Sequence, residues 1–200
     1  MGKIITVDRE FGSGGREFGR LLAEKLGYTY VDNELLIELI HKESSYSKEF
    51  LMTISKGRPT PKFNFHTAAS FQDMRNIQSE DVFDHQAEIM ISIAKERDCV
   101  VVGRCADYVL REFNPYRIFV YGTMESKIAR CRKFARPEDV DKSDRQLEKE
   151  IKWIDRKRKI NYEYYTPQEW GRHFNYDLMI NTSSRSVEEL VDMIYRDVRE

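Results

Sequence analysis

Gly12, Gly14 and Gly15 stand within four positions around Ser13, directly after the β-branched run Ile4–Asp8 and before a stretch in which Phe18, Leu21, Leu22 and Leu26 recur at helical spacing. Glycines between a strand and a helix let the backbone turn its N–H groups inward, and the helix points the positive end of its dipole into the same hollow. Such a cradle suits an anion, phosphate above all. Set against Gly-x-x-x-x-Gly-Lys-Ser/Thr with Gly14 as the second glycine, the segment has Arg9 at the first glycine, Gly15 at the lysine and Arg16 at the Ser/Thr. The cradle is kept and its cation displaced. Arg16 and Arg9 are the two sources of replacement charge, and Ser13 is the hydroxyl left within the loop.

Three further groups carry chemical potential. Gly103-Arg104-Cys105-Ala106-Asp107 follows the apolar run Cys99–Val102, so Arg104 is expected where the chain leaves a buried strand near its ligand side; a solvated surface arginine is the plainer alternative. Asp32 closes a second short strand, Tyr28–Val31, and suits either orientation of a substrate or metal-bound water, or the N-cap of the helix that begins near Leu35. Arg130, Arg132, Lys133 and Arg136, with Asp155-Arg156-Lys157-Arg158-Lys159, form a basic set able to close over polyphosphate and stabilise charge in transfer. A salt-bridged, exposed helix face is the alternative, Asp155 and Arg158 being i,i+3 neighbours. His41, His66, His85 and His173 lack metal-ligand spacing, and Cys99, Cys105 and Cys131 have neither the number nor the spacing of a disulfide framework or zinc site. Trp153, Tyr162, Tyr164, Tyr165 and Trp170 could stack a base, with packing of a long helix as the default.

The elements that would position these groups alternate. Strands are expected at Ile4–Asp8, Tyr28–Val31, Cys99–Val102, Arg117–Tyr121 and Tyr176–Ile180. Helices are expected after the glycine loop, from Leu35, from Ser79 as an N-cap, over Thr123–Ala135, over Gln146–Tyr165, and after the capping box Ser186-Val-Glu-Glu189. This alternation predicts an α/β fold, a doubly wound parallel sheet with helices on both faces and ligands at the carboxyl ends of its strands. Residues 44–79, with Gly57, Pro59, Pro61 and scattered aromatics, read as an insertion of short helices and loops. Thirty-three basic against 34 acidic residues provide no bulk field toward nucleic acid or anionic membrane, so any cationic site must be local. No apolar run approaches the ~20 residues of a membrane span, which predicts a soluble cytoplasmic protein.

Taken together in this order, "REFGSGGRE", "GRCADYVL", Asp155-Arg156-x-Arg158 and "YDLMINTS" resemble the cytidylate-kinase-like proteins among the P-loop nucleoside monophosphate kinases, over essentially the whole chain. The resemblance implies a three-layer P-loop fold with a five-stranded parallel core (1–43, 80–135, 166–200), a monophosphate-binding insertion (44–79) and a lid (136–165). It implies transfer of a phosphoryl group from ATP, with Mg²⁺, to a small-molecule nucleotide such as CMP or dCMP. By that resemblance Gly12, Ser13, Gly14, Gly15 and Arg16 would hold the donor phosphates. Arg104, with Asp32 and Asp107, would serve the acceptor. Arg16, Arg132, Arg156 and Arg158 would close on the transferring group while Asp155 orders them. Cys105 stands where the family carries an acid after Gly-Arg. A catalytically silent nucleotide-binding regulator is the second reading that the altered loop allows.

Overall fold

The computed structural model describes residues 3–56, 71–135 and 140–199, without the side chains of 56, 71–78 and 199. Five strands, β1 (Ile4–Arg9), β2 (Thr29–Val31), β3 (Cys99–Val102), β4 (Tyr116–Tyr121) and β5 (Leu178–Asn181), form one parallel sheet in the order β2-β3-β1-β4-β5. This is the doubly wound arrangement that the alternation of elements predicts.

Helices cover both faces. On one, Ile5 and Val7 of β1 and Val100 and Val102 of β3 pack against Phe18 and Leu22 of α1 (Gly15–Leu26) and against Val187, Leu190, Val191 and Ile194 of α8 (Val187–Arg199). On the other, Ile4, Cys99 and Val101 meet Leu36 of α2 (Asn33–Glu43), Met90 and Ala94 of α4 (Phe71–Glu96), and Ala106 of the short α5 (Ala106–Val109). The central strands are apolar on both sides because neither face is left to water. α3 (Lys48–Lys56) joins α2 and α4 through Leu51, Ile37, Ile40 and Val82. α6 (Met124–Lys133) and α7 (Asp144–Tyr165) lie beside the glycine loop.

Several boundaries differ from expectation. Ser79 lies inside α4, where its hydroxyl pairs with the Tyr165 hydroxyl at 2.8 Å instead of capping a helix start. α7 starts earlier than Gln146, because Ser143 and Gln146 form a reciprocal capping box. β5 starts at Leu178, since Asp177 is engaged with Arg117 and the Tyr176 hydroxyl with Asp8. The Ser186–Glu189 box is present, with Glu189 N donating to Ser186 Oγ at 3.2 Å and Ser186 N to Glu189 Oε2 at 3.0 Å. Residues 57–70 of the expected insertion, and 136–139 of the expected lid with Arg136, lie outside the described residues.

Candidate functional site

β1 and β3 are neighbours, so the loops leaving their carboxyl ends meet. The first is the glycine loop. Gly12 (φ 77°) and Gly14 (φ 81°) both adopt the left-handed conformation that lets the chain turn back on itself, and Gly14 caps α1. The loop leans on α6: a Cβ at Gly12 would lie 3.1 Å from the Lys127 carbonyl, and one at Gly14 would lie 2.9 Å from the Arg130 guanidinium carbon. Ser13 is buried and its hydroxyl donates to the Glu10 carbonyl at 2.8 Å, so it braces the loop.

The second loop is under strain. Gly103 (φ 75°), Arg104 (φ 60°) and Cys105 (φ 54°) are three successive left-handed residues, two of them with a Cβ that disfavours it. The turn sends Arg104 toward α3, where its Nη2 donates to the Ser55 carbonyl at 3.2 Å and lies against the Ser55 hydroxyl. The expected insertion thus contributes to the site through α3.

A third arginine arrives from α7. Arg158 Nη1 donates to the Arg9 carbonyl at 2.7 Å. The Arg9 side chain itself runs between the two loops: a Cβ on Gly15 would overlap the Arg9 Cβ, and one on Gly103 would overlap the Arg9 guanidinium. Burial pushes the Arg104 guanidinium down to about 10 and that of Arg158 to about 9, and in both Arg9 adds repulsion. Arg9 is itself lowered by burial, against the opposing pull of Asp8. Three guanidiniums therefore crowd the mouth of the glycine loop.

Beneath them lies an acidic layer. Asp8 and Asp107 are buried, and burial raises both carboxyls above the usual range, Asp107 to about 7. Tyr176 donates to Asp8 Oδ2 at 3.0 Å, and the Tyr162 oxygen stands 2.5 Å from Asp107 Oδ2. Asp107 Oδ1 is buried with no hydrogen-bond partner. Behind the loop, Lys127, its side chain 6% exposed, bridges Glu10 Oε2 at 3.0 Å and Asp155 Oδ2 at 3.2 Å.

Of the residues expected at the site, the fold brings Gly12, Ser13, Gly14, Gly15, Arg104, Asp107, Asp155 and Arg158 together. Others are committed elsewhere. Arg16 is exposed and reaches Asp32 Oδ2 at 2.8 Å and Glu34 Oε2 at 2.7 Å. Asp32 also caps α2 by accepting from Glu34 N and Leu35 N, the alternative role its position allowed. Arg132 pairs with Asp144 at 2.8 Å, and Arg156 is exposed. Lys127, Glu10 and Ser55 escape a reading of the sequence because their significance lies in partners remote in the chain. Glu10 and Ser55 carry no distinguishing pattern, whereas Lys127 is detectable as a cation on the buried side of α6. The aromatics are structural where contacts are seen: Tyr165 stacks on Phe83 at 3.9 Å and Trp170 meets Phe119 edge-on at 5.4 Å.

For donor phosphates the residues fit: two left-handed glycines, a helix start and a desolvated cation surround the hollow. A metal finds less. Among the described residues no group of three or more His, Cys, Asp or Glu side chains converges. Likewise no helix among them is long and apolar enough to cross a membrane.

Comparison with known proteins agrees with this architecture. Residues 4–184 match the cytidylate kinase-like family. The cytidylate kinase of Thermotoga maritima is 26% identical over 222 aligned positions that cover 100% of this chain and 98% of that one. Among solved structures, an uncharacterized protein from Eubacterium ventriosum superposes with a TM-score of 0.73 at 23% identity, covering 100% of this chain and 99% of that one. Shikimate kinase from Bacteroides thetaiotaomicron shares the fold at a TM-score of 0.57 and 15% identity, with 99% of each chain covered.

Proposed function

The chain belongs to the cytidylate kinase-like family, and from that premise we propose that it transfers the γ-phosphoryl group of ATP to a small acceptor, with a nucleoside monophosphate such as CMP or dCMP as the first acceptor to test. An oxygen of the acceptor's phosphate forms the new bond to the γ-phosphorus. The bond from that phosphorus to the β-bridging oxygen breaks, and the electron pair leaves on ADP. Such a transfer asks the protein for alignment and for charge placed around the migrating group.

The observation that carries this reading is the convergence of Arg9, Arg104 and Arg158 on the glycine loop. Three mutually repelling, desolvated guanidiniums destabilise an empty fold, and a polyanion in their midst offsets that repulsion. In this scheme Gly12–Gly15 hold the donor, Arg104 on its strained turn grips the acceptor phosphate, and Arg158 bridges the two from α7. Residues 44–79 act as the acceptor-binding insertion, with Ser55 against Arg104, and 136–165 act as the lid. Mg²⁺ would be carried chiefly by phosphate oxygens and water, a mode it favours, since Arg16 replaces the usual hydroxyl and Ser13 faces the Glu10 carbonyl. Membership of the family supports a small-molecule partner in the cytoplasm, and the near-neutral charge balance supplies no electrostatic footprint for nucleic acid.

The second reading, a silent nucleotide sensor, draws on one specific contact: the Phe11 N–H at the loop mouth already donates to Asp155 at 2.6 Å. One assay separates them. With ATP, Mg²⁺ and a panel of CMP, dCMP, UMP, AMP, GMP, shikimate and nucleosides, a kinase releases ADP only when its acceptor is present. ATP binding by calorimetry with no acceptor-dependent ADP would overturn the proposal in favour of the sensor.

A further inference from the structure

We infer that Arg9 has taken over the work of the missing loop lysine. The arginine at the motif's first glycine position and the glycine at its lysine position are then one exchange made in space: the cation that meets the terminal phosphates of the donor rises from the end of β1 and not from the start of α1. The inference rests on the phosphotransferase reading for its donor.

The Arg9 Cβ and Cγ occupy the space that a side chain on Gly15 would need; a Cβ there would also lie 3.2 Å from the Val120 Cβ. A lysine at position 15 and an arginine at position 9 therefore exclude each other, and the chain carries one of the two. Further out, the guanidinium fills the space above Gly103, which has no Cβ to oppose it and whose φ of 75° suits glycine. The side chain is wedged between two glycines and aimed into the crevice between β1 and β3.

The arginines around the site differ in whether they have partners. Arg16 binds Asp32 and Glu34, Arg104 binds Ser55, Arg130 binds Glu17, Arg132 binds Asp144, and Arg158 binds the Arg9 carbonyl. The Arg9 Nε is buried with no hydrogen-bond partner, and among the described residues its guanidinium makes no ion pair. Buried polar groups are almost always satisfied, so an orphaned cation at the mouth of a phosphate cradle marks a place where the ligand supplies the acceptor. Arg16, the other candidate, already has two carboxylates and is exposed. A guanidinium also differs in what it offers: its planar fork spans two phosphate oxygens where an ammonium acts as a point charge.

The test uses calorimetric titration of the full chain with ATP, AMP and inorganic tripolyphosphate, together with thermal melting. Arg9→Ala should weaken ATP and tripolyphosphate by about 30-fold, the scale of a lost charge-assisted contact, and leave AMP almost unchanged. Without ligand Arg9→Ala should melt at or above the parent temperature, because a desolvated charge is gone; tripolyphosphate should then raise the melting temperature of the parent but not of the variant. The double variant R9G/G15K, which restores the first glycine and the lysine of the usual motif, should recover tripolyphosphate affinity to within about fivefold, whereas G15K alone should not, since Arg9 still fills its place. Tripolyphosphate affinity of Arg9→Ala within about threefold of the parent, or a larger loss in Arg16→Ala than in Arg9→Ala, overturns the inference. Should the parent release no acceptor-dependent ADP while Arg9→Ala still loses tripolyphosphate, the kinase reading fails and Arg9 stands. If transfer persists in Arg9→Ala with affinity intact, the reverse holds.

Discussion

The Asp155 carboxylate accepts a hydrogen bond from the Phe11 amide at 2.6 Å, across 144 residues of sequence. Its other oxygen takes the Lys127 ammonium at 3.2 Å, and Lys127 continues to Glu10 at 3.0 Å. The helix that carries Arg158 is thereby fastened to the loop that would hold the donor, and the fastening is ionic. Displacing α7 would take the Asp155 carboxylate from both the Phe11 amide and Lys127, leaving Lys127 of α6 with Glu10.

Removing the ammonium should be the most damaging change in that network. Lys127→Met leaves Glu10 and Asp155 facing each other with side chains 28% and 15% exposed and no cation between them. Breaking a buried pair from one side costs about 3–5 kcal/mol, more than the intact pair contributes. Urea unfolding of Lys127→Met, Asp155→Asn and the double variant checks this: the double variant should be less destabilised than the sum of the singles, because Asp155→Asn removes one of the two stranded charges. Strict additivity would show that the three groups are not coupled.

Gly15→Ala is a test of packing that needs no assay of function. Its Cβ would overlap the Arg9 Cβ and lie 2.9 Å from the Arg9 Cγ. At a buried position beside β4 the expected cost is about 1–3 kcal/mol. In an Arg9→Gly background both the Cβ and the Cγ that it would meet are gone, and the penalty should fall to less than half. An equal penalty in both backgrounds would mean that Val120 and the strand, not Arg9, set the limit at this position.

The paired acids give a signed pH dependence. Burial, reinforced by the charge of Asp8, lifts Asp107 from 3.8 to about 7. Tyr162 fits this: its oxygen stands 2.5 Å from Asp107 Oδ2 and 2.7 Å from Gln168 Oε1 and has one proton for two acceptors, so a protonated Asp107 donates to Tyr162 and frees the hydroxyl proton for Gln168. Between pH 4 and 7 the folded chain then binds a proton that the unfolded chain has lost. The stability contributed by protonated Asp107 is full below pH 4 and lost as pH rises through 7, at no more than about 1.4 kcal/mol per unit. Unfolding free energies of Asp107→Asn should therefore gain on the parent as pH rises across that window and run parallel to it above pH 8. A difference independent of pH would place the Asp107 titration outside the range.

The strands and their parallel, doubly wound sheet are legible in the sequence because their causes are local, apolar runs bounded by glycine and alternating with helices, whereas the order β2-β3-β1-β4-β5 is set by packing between segments remote in the chain. Cys99–Val102 is legible to the residue because a strand buried on both faces has no polar interruption. The true length of α4 is not, because Phe71–Gln78 carries no clean apolar period, and Ser79 mimics a cap while pairing with Tyr165 on another helix. At the site, residue type identifies Arg104 and Arg158, since loops after strands and basic helices attract attention on their own. Direction is hidden. Whether Arg9 or Arg16 faces the cradle depends on which side of β1 and α1 each side chain leaves, and on Asp32 and Glu34 being near enough to hold Arg16.

The last relationship with a measurable consequence is that of Ser55 to Arg104. Arg104 sits on a backbone with φ of 60°, preceded and followed by left-handed residues, and its guanidinium is steadied by the Ser55 carbonyl at 3.2 Å and by the Ser55 hydroxyl. The hydroxyl in turn donates to Asn33 Oδ1 at 2.8 Å, which links α3 to the start of α2. Ser55→Ala keeps the carbonyl and removes the hydroxyl, so Arg104 retains its charge and loses part of its aim. As a positioning residue for the acceptor, Ser55 should affect KM and not kcat: acceptor KM should rise about five- to tenfold, the scale of one hydrogen bond, with kcat and donor KM within about twofold. Arg104→Ala should raise acceptor KM much further, by about 100-fold, through loss of the charge itself. If Ser55→Ala lowered kcat while sparing acceptor KM, Arg104 would be acting on the transferring group and not on the acceptor phosphate. The places of Arg104 and Arg158 in the proposed scheme would then be exchanged.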